Sequence, residues 1–383
     1  MGNERFGRRA DSTTGNLSPA SASDTKAIWK RIEDILDRKV AQLGGLPGPA
    51  TGELEIGYDK GYFRKHRDGV MYYTPHAGPC WVRGAILEHY QSFGADKGAL
   101  GYPTTDETPT PGNLGRYNHF QKGSIYWSPA TGAHEIHGMI RQHWLSLGRE
   151  ASWLGYPISD EQPFTEDGRV SKFQHGNIYW WPDVGAIALG EVTVRFKGLY
   201  CFGETRGAGA DSPYVIIGAV TVPGAPATDI LSPIYDDVDS GDSRPDDIQF
   251  YRGQPNGLVL GLALFEHDQG DPNKYREVVK GVVKEAGALV GQGCAALLGA
   301  EAAPVCERLW KSAEGVIVDG LNSALGTDDD HIAKWTCSIS AKEMVTKAGA
   351  PHSHFWGIDY HHESPLLSDG DASYKAYLAI ERT

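Results

Sequence analysis

Apolar positions in the first half of the chain follow a helical period, then a turn, then a strand period, and the order repeats. Ile28, Ile32, Ile35, Leu36 and Val40 fall on one face of a helix expected over Thr25–Leu43. Gly44-Gly45-Leu46-Pro47 should end it. Ile86, Tyr90 and Phe93 then precede Leu100-Gly101-Tyr102-Pro103, and Ile140, His143, Trp144 and Leu147 precede Leu154-Gly155-Tyr156-Pro157. After each motif come acidic residues (Asp106-Glu107, Asp160-Glu161), a Gly/Pro-rich stretch and a short hairpin with an aromatic strand. Ile125-Tyr126-Trp127 returns as Ile178-Tyr179-Trp180 and is anticipated by Met71-Tyr72-Tyr73. Phe120-Gln121-Lys122-Gly123 matches Phe173-Gln174-His175-Gly176, and Gly78, Gly132 and Gly185 keep phase. One supersecondary unit of 53–54 residues is copied along the chain. Repeat arrays more often bind than catalyse, because each copy presents the same surface again.

The texture changes near Gly190. Val192–Phe196, Tyr214–Val222, Ile248–Tyr251 and Leu258–Phe265 are β-rich runs, Tyr275–Leu325 has a helical period, and strands resume at Ile332 and Tyr374–Ile380. The simplest architecture is α+β: an array of three helix-turn-hairpin units over 26–189, then a β-sandwich over 190–383 with a helical hairpin inserted at about 275–326. Residues 1–25, rich in Ser, Gly, Ala and Arg with no apolar segment, read as a disordered leader and not as a signal peptide.

Composition narrows the partners. The 383 residues carry a formal charge of −13, which argues against a general nucleic-acid binder. No run reaches the roughly 18–20 apolar residues of a membrane helix. Five cysteines are too few for a disulfide scaffold, although Cys294 and Cys306 could staple the helical hairpin. Trp and Tyr together outnumber Phe, as suits surfaces that need a flat apolar face with a polar edge.

The two Leu-Gly-Tyr-Pro turns, with their in-phase aromatic strands, resemble the LGFP repeat family, with Tyr in place of Phe, over about Ile28–Ala186. The first copy is degenerate, with Gly44-Gly45-Leu46-Pro47 and Tyr72-Tyr73. The resemblance implies an extracellular or surface-associated protein that attaches to bacterial cell walls or envelope glycans, exported by a route without an ordinary signal peptide. A cytoplasmic location stays open. Three pieces of the second half resemble C2 domains: Asp211-Ser212-Pro213-Tyr214-Val215, Leu262–Asp268, and Asp328-Asp329-Asp330-His331-Ile332. About 55 residues split the last two pieces, and Ala333 stands where that family has Gly.

Candidate sites follow. Strand alternation sets Ile and Trp of Ile-Tyr-Trp on one face and Tyr on the other. Trp127 and Trp180 are then expected in the core, and Tyr126, Tyr179 and Trp181, with Tyr102 and Tyr156, are expected to stack on sugar rings or to pack between neighbouring units. Asp211, Asp268, Asp271, Asp328, Asp329 and Asp330 sit at expected strand ends, where a C2-like rim would gather oxygens for calcium. A second acidic loop, Asp236–Asp247, has no EF-hand spacing. His352, His354, His361, His362 and Glu363 form a zinc-capable set but lack His-Glu-x-x-His. No phosphate loop, dinucleotide fingerprint or Gly-x-Ser-x-Gly is present. The leading expectation is a non-catalytic protein that binds envelope polysaccharide, with a calcium-dependent second domain. The alternatives are an effector or toxin whose second domain acts on a lipid membrane, and a metal-dependent wall hydrolase.

Overall fold

The computed structural model describes residues 22–206, 209–221, 228–267, 271–294, 302–325 and 331–383. The chain divides into two compact units, one running to Thr108 with Asn118–Gln121, the other comprising Pro109–Tyr117 and Lys122–Thr383. The division falls inside the second repeat.

In the first unit, helix α1 (Ala22–Gln42) precedes a four-stranded meander of β1 (Glu55–Ile56), β2 (Tyr62–His66), β3 (Gly69–Thr74) and β4 (Gly78–Val82). Ile32 and Leu36 of α1 are buried against Leu54, Met71 and Trp81, whereas Ile28 is exposed. Helix α2 (Gly84–Ser92) follows and buries Ile86 and Tyr90. Met71 faces α1, while Tyr72 meets the Tyr90 ring of α2 edge-on, 5.4 Å between centroids. The strand therefore has a helix on each face.

Strands β5 (Thr108–Pro109) and β6 (Arg116–His119) lead to β7 (Gly123–Ser128) and β8 (Gly132–His137), which pair from Gly123↔His137 to Ser128↔Gly132. Helix α3 (Gly138–Leu147) buries Ile140 and Trp144. The third meander is β9 (Gln162–Pro163), β10 (Arg169–Phe173), β11 (Gly176–Trp181) and β12 (Gly185–Leu189). Ile178 packs with Ile140 and Trp144, and Tyr179 on the other face packs with Val192, Val194 and Leu258.

The rest of the second unit is two facing sheets. One is ordered β16-β13-β23-β21, with β22 also on β23; the other is ordered β15-β14-β17-β18. Their strands are β13 (Val192–Gly203), β14 (Pro213–Thr221), β15 (Thr228–Leu231), β16 (Ser243–Gly253), β17 (Leu258–Glu266), β18 (His331–Ile339), β19 (Ser353–Phe355), β20 (Ile358–Tyr360), β21 (His362–Glu363), β22 (Leu367–Ser368) and β23 (Ser373–Arg382). Strands β19 and β20 form a separate hairpin. Val194, Phe196, Leu262, Leu264, Leu378 and Ile380 lie in the core between the sheets.

Helices α4 (Pro272–Cys294) and α5 (Ala302–Leu325) run between β17 and β18 and cover the outer face of β14 and β17. Gly218 and Gly261 are register partners there, and a Cβ on either would collide with Val283 of α4 or with Ile317 of α5. Paired glycines thus form a notch in the sheet that admits both helices. A short helix α6 (Ala341–Lys347) is capped by Ser340, which accepts the Glu343 N–H at 3.1 Å. Cys80, Cys201 and Cys337 are free thiols; the Cys294 and Cys306 side chains lie outside the described residues.

Candidate functional site

The Leu-Gly-Tyr-Pro turns are structural joints. Gly101 and Gly155 adopt φ of 67° and 73°, where glycine is least strained. The carbonyl of each accepts a bond from the preceding helix, from the Tyr90 hydroxyl (2.8 Å) and from Trp144 Nε1 (3.3 Å). The next N–H in each turn donates to a glutamine: Tyr102 to Gln121 Oε1 (3.0 Å) and Tyr156 to Gln174 Oε1 (2.9 Å). The tyrosine rings then fill loops of the preceding repeat. The Tyr102 hydroxyl donates to the Tyr58 carbonyl (2.7 Å), and its ring lies where a side chain on Gly57 or Gly61 would be. Tyr156 bonds the Thr110 hydroxyl (2.6 Å) and occupies the space beside Gly115.

The third repeat has no following Leu-Gly-Tyr-Pro, and Trp181 takes that place. Its ring lies 2.5 Å from where a Cβ on Gly168 would stand, and its Nε1–H donates to the Thr165 carbonyl at 3.0 Å. Thr74 and Ser128 hold the equivalent positions in the earlier copies.

These contacts correct the expected facing of the aromatic strand. Tyr102, Tyr126, Tyr156, Tyr179 and Trp181 are all buried, at 3, 1, 8, 1 and 0% exposure, so none can offer a ring to a sugar. Burial also holds the hydroxyls of Tyr102, Tyr126 and Tyr179 above the usual tyrosine range. Trp127 and Trp180, expected in the core, are only half-buried. The cause is coverage on both faces: Ile125 is fully buried on one, while on the other Tyr126 stacks on Tyr117 (5.1 Å) and meets Trp144 edge-on (4.7 Å), so alternation no longer separates inside from outside.

The aspartates do not come together as a described cluster. Asp211 is buried, with a carboxylate that accepts from the Tyr374 hydroxyl (2.6 Å) and the Thr205 N–H (3.0 Å). Asp271 accepts from the Asn273 N–H (3.0 Å) at the start of α4. Asp268, Asp328, Asp329 and Asp330 lie outside the described residues. Among the described residues no group of three or more His, Cys, Asp or Glu is arranged to hold a metal ion.

The C-terminal histidines are held by protein groups. The Ile380 N–H donates to His361 Nδ1 (3.0 Å), which fixes the proton on Nε2, 3.3 Å from the Ala350 carbonyl. His352 stacks on His361 at 4.3 Å, His362 lies 3.1 Å from Glu343, and His354 lies 2.8 Å from Asp359.

One recess stands apart from these networks. Trp153, His175, Glu191, Arg252 and Arg382 line a cleft of ≈430 Å³ where the third repeat meets the β13–β23 sheet. Trp153 is 51% exposed and was not singled out from sequence. Its ring rests against Gly176, where a Cβ would come within 2.7 Å of it. One edge is thereby fixed while much of the ring faces solvent. The equivalent residue one repeat earlier is Ala99, so the repeat scaffold does not require an indole here. A large ring at a position the array fills with alanine was the available sequence signal.

A family model described as the LGFP repeat matches residues 47–98, 100–152 and 154–196. The chain therefore carries three LGFP repeats, which are typical of cell-surface proteins. No curated protein matches the chain. Among solved structures, human GIVD cytosolic phospholipase A2, bound to a fluorophosphonate inhibitor and terbium chloride, aligns at 13% identity. The alignment covers 50% of this chain and 17% of that one with a TM-score of 0.23, a likeness that carries no argument. Among the described residues no helix is long and apolar enough to cross a membrane.

Proposed function

We propose that this protein attaches to an envelope polysaccharide through its LGFP repeats, with the cleft beside Trp153 as the seat for a sugar ring. The observation that carries this is Trp153 itself, half-exposed, braced on Gly176, and unneeded by the repeat scaffold. An indole face buries the apolar face of a pyranose, and polar groups around it fix the ring's hydroxyls. His175, Glu191 and Arg252 supply such groups. The buried tyrosines then shape the array that carries the seat and do not touch the ligand.

The β-rich half holds this seat in place. Asn177 of the third repeat donates to Gln254 Oε1 (2.7 Å), and Lys342 pairs with Asp183 (2.7 Å). A calcium-binding, C2-like role for that half would have to rest chiefly on the aspartates outside the described residues, since Asp211 already serves Tyr374 and Thr205 and Asp271 accepts the Asn273 N–H.

The test is retention of the full-length protein on insoluble cell-wall glycan, with Trp153→Ala beside the native chain. Retention should drop at least about tenfold, the equivalent of roughly 1.4 kcal/mol, with an unchanged melting temperature. Equal retention by the two proteins would remove the cleft from this role.

A further inference from the structure

A second group of rings lies on the outer face of the β13–β23 sheet. Cys201 and Leu378 belong to the core between the sheets, so Tyr200 and Tyr377 beside them face outward, under the β19–β20 hairpin. Tyr200 meets Phe202 (4.7 Å), Phe355 (4.9 Å) and Trp356 (6.2 Å between centroids). Trp356 is 64% exposed and Phe202 43%. None of these residues lines the Trp153 cleft. Phe355 pairs with Ile358, so Trp356 and Gly357 form a two-residue turn, at φ of 47° and 86°. Asparagine or glycine fills the first of these positions at least cost, and a bulky ring there is strained. Burial does not offset that strain, because most of the indole is in solvent. A strained, exposed ring points to a contact outside the chain.

Negative charge borders the rings. The Ser240 hydroxyl donates to the Phe202 carbonyl (3.1 Å) and the Ser240 N–H to Glu204 Oε2 (3.0 Å), which ties the Asp236–Asp242 loop to this end of β13. Loss of solvent, and then the Glu204 and Asp242 charges, raise the Asp239 carboxyl above the usual range. Among the described residues Glu204, Asp237 and Asp239 have no cation within ion-pair distance. The cations of this region are already paired: Arg244 with Asp242 (3.1 Å), Arg206 with Asp371 (3.3 Å), Lys197 with Asp247 (2.8 Å) and His354 with Asp359 (2.8 Å). We propose that this face docks a basic polypeptide segment, with its apolar side chains on Trp356 and Phe202 and its lysines or arginines on Glu204 and Asp239. Apolar anchors beside surplus carboxylates match a segment that carries both side-chain types. The indole face also accepts a guanidinium or ammonium. A neutral sugar would leave the carboxylates unmatched, and an anionic bilayer would be repelled by them.

Fluorescence anisotropy of labelled synthetic peptides, titrated with the full-length protein, tests this. One peptide alternates lysine with phenylalanine; its controls carry glutamate for lysine, or serine for phenylalanine. At low salt the first should bind at least about tenfold more tightly than either control. High salt should erase most of its advantage over the glutamate peptide. Trp356→Asn should weaken the lysine–phenylalanine peptide about tenfold, while the melting temperature holds or rises, because asparagine suits the turn. Glu204→Gln combined with Asp239→Asn should cut the advantage of lysine over glutamate about threefold or more and alter no ring. Equal binding of the three peptides, or an undiminished preference in either variant, overturns the proposal. If Trp356→Asn unfolds the chain, the carboxylate variant decides alone. Two further results also overturn it when no peptide is preferred. Capture by phosphatidylcholine vesicles that Trp356→Asn abolishes would make the face a membrane contact. Loss of wall-glycan retention in Trp356→Asn would make it a second sugar seat.

Discussion

The second and third repeats share a scaffold and differ in what closes them. Between β9 and β10, or between β5 and β6, each leaves a glycine-lined hollow. In the second repeat the ring of Tyr156, from the next copy, fills the hollow beside Gly115. In the third, Trp181 comes from the repeat's own strand β11 and bonds the loop carbonyl of Thr165. An array grows by lending each hollow a tyrosine from its successor, and it ends where a copy supplies its own ring. The same third repeat also replaces Ala99 with Trp153 on its surface. The copy that ends the array therefore also presents the exposed indole.

The most severe way to break this comparison is to remove the terminal plug. Trp181→Ser installs the residue found in the second repeat and should cost about 3–5 kcal/mol, the range for emptying a buried aromatic site. Denaturant unfolding of the full chain would read it. Tyr156→Ala should cost a similar amount, since it opens the equivalent hollow one repeat earlier. A loss below about 1 kcal/mol for Trp181→Ser would mean that the third repeat is closed by its packing on β13 and not by its own ring.

Filling the hollows from the other side should cost less. A Cβ on Gly115 would lie 2.4 Å from the Trp127 carbonyl and 2.8 Å from Tyr156 Cε1, and one on Gly168 would lie 2.5 Å from Trp181 Nε1 and 2.9 Å from the Thr165 carbonyl. Each Gly→Ala change should therefore cost about 1–3 kcal/mol by overpacking. The second repeat should suffer more, because its clash with a backbone carbonyl is the closer of the two and a carbonyl cannot swing aside as a ring can. Equal melting temperatures for the two variants would show that both hollows relax alike.

Tyr156→Phe isolates the polar part of the joint. It removes the bond to the Thr110 hydroxyl, which also accepts the Gly115 N–H at 2.9 Å. The expected loss is about 0.5–1.5 kcal/mol, because the threonine keeps one partner. A larger loss would place the hydroxyl, and not the ring, at the centre of the joint.

How much of this was legible in the sequence depends on whether a feature is copied. The Leu-Gly-Tyr-Pro turns, the hairpin glycines and the matching of Gln121 with Gln174 were visible because each appears twice at one spacing. The inward face of Tyr126 and Tyr179 was not, because periodicity marks a buried side only when the other side is wet. Here β3 and β11 are covered on both faces, and Met71 and Tyr72 are both buried. The same ambiguity attends β14 and β17. Their unbroken apolar runs did read as strands, but nothing in them announced that Gly218 and Gly261 sit opposite each other beneath α4 and α5. Trp153 went unremarked because it is a departure from the repeat, and attention to matches passes over departures.

The smallest expected effect separates the copies by pH. At the edge of β4, Arg83 pairs with Glu107 at 2.9 Å; at the equivalent edge of β8, His137 meets Glu135 (2.7 Å) and Glu161 (3.5 Å). The hydrogen bond to Glu135 raises His137 above the ordinary histidine value, and burial raises Glu161 above the ordinary carboxylate value. Both groups bind protons more tightly folded than unfolded. Their contribution is therefore fully present below the unfolded values and is lost as pH rises through the folded ones. Stability should fall as pH rises, from about pH 4.5 upward through Glu161 and from about pH 6.5 upward through His137. The amount should be under about 1 kcal/mol, because His137 is 39% exposed and solvent screens the pair. His134, raised by its bond to Asp160, acts in the same direction, so the comparison must be a difference between proteins. His137→Arg copies the first repeat and brings a charge that this pH range does not remove. Its unfolding free energy should vary less across the range than that of the native chain, whatever the other histidines add. An equal slope for the two proteins would show that His137 is a passive copy of the arginine, and the contrast between the repeats would then rest on Trp181 and Trp153 alone.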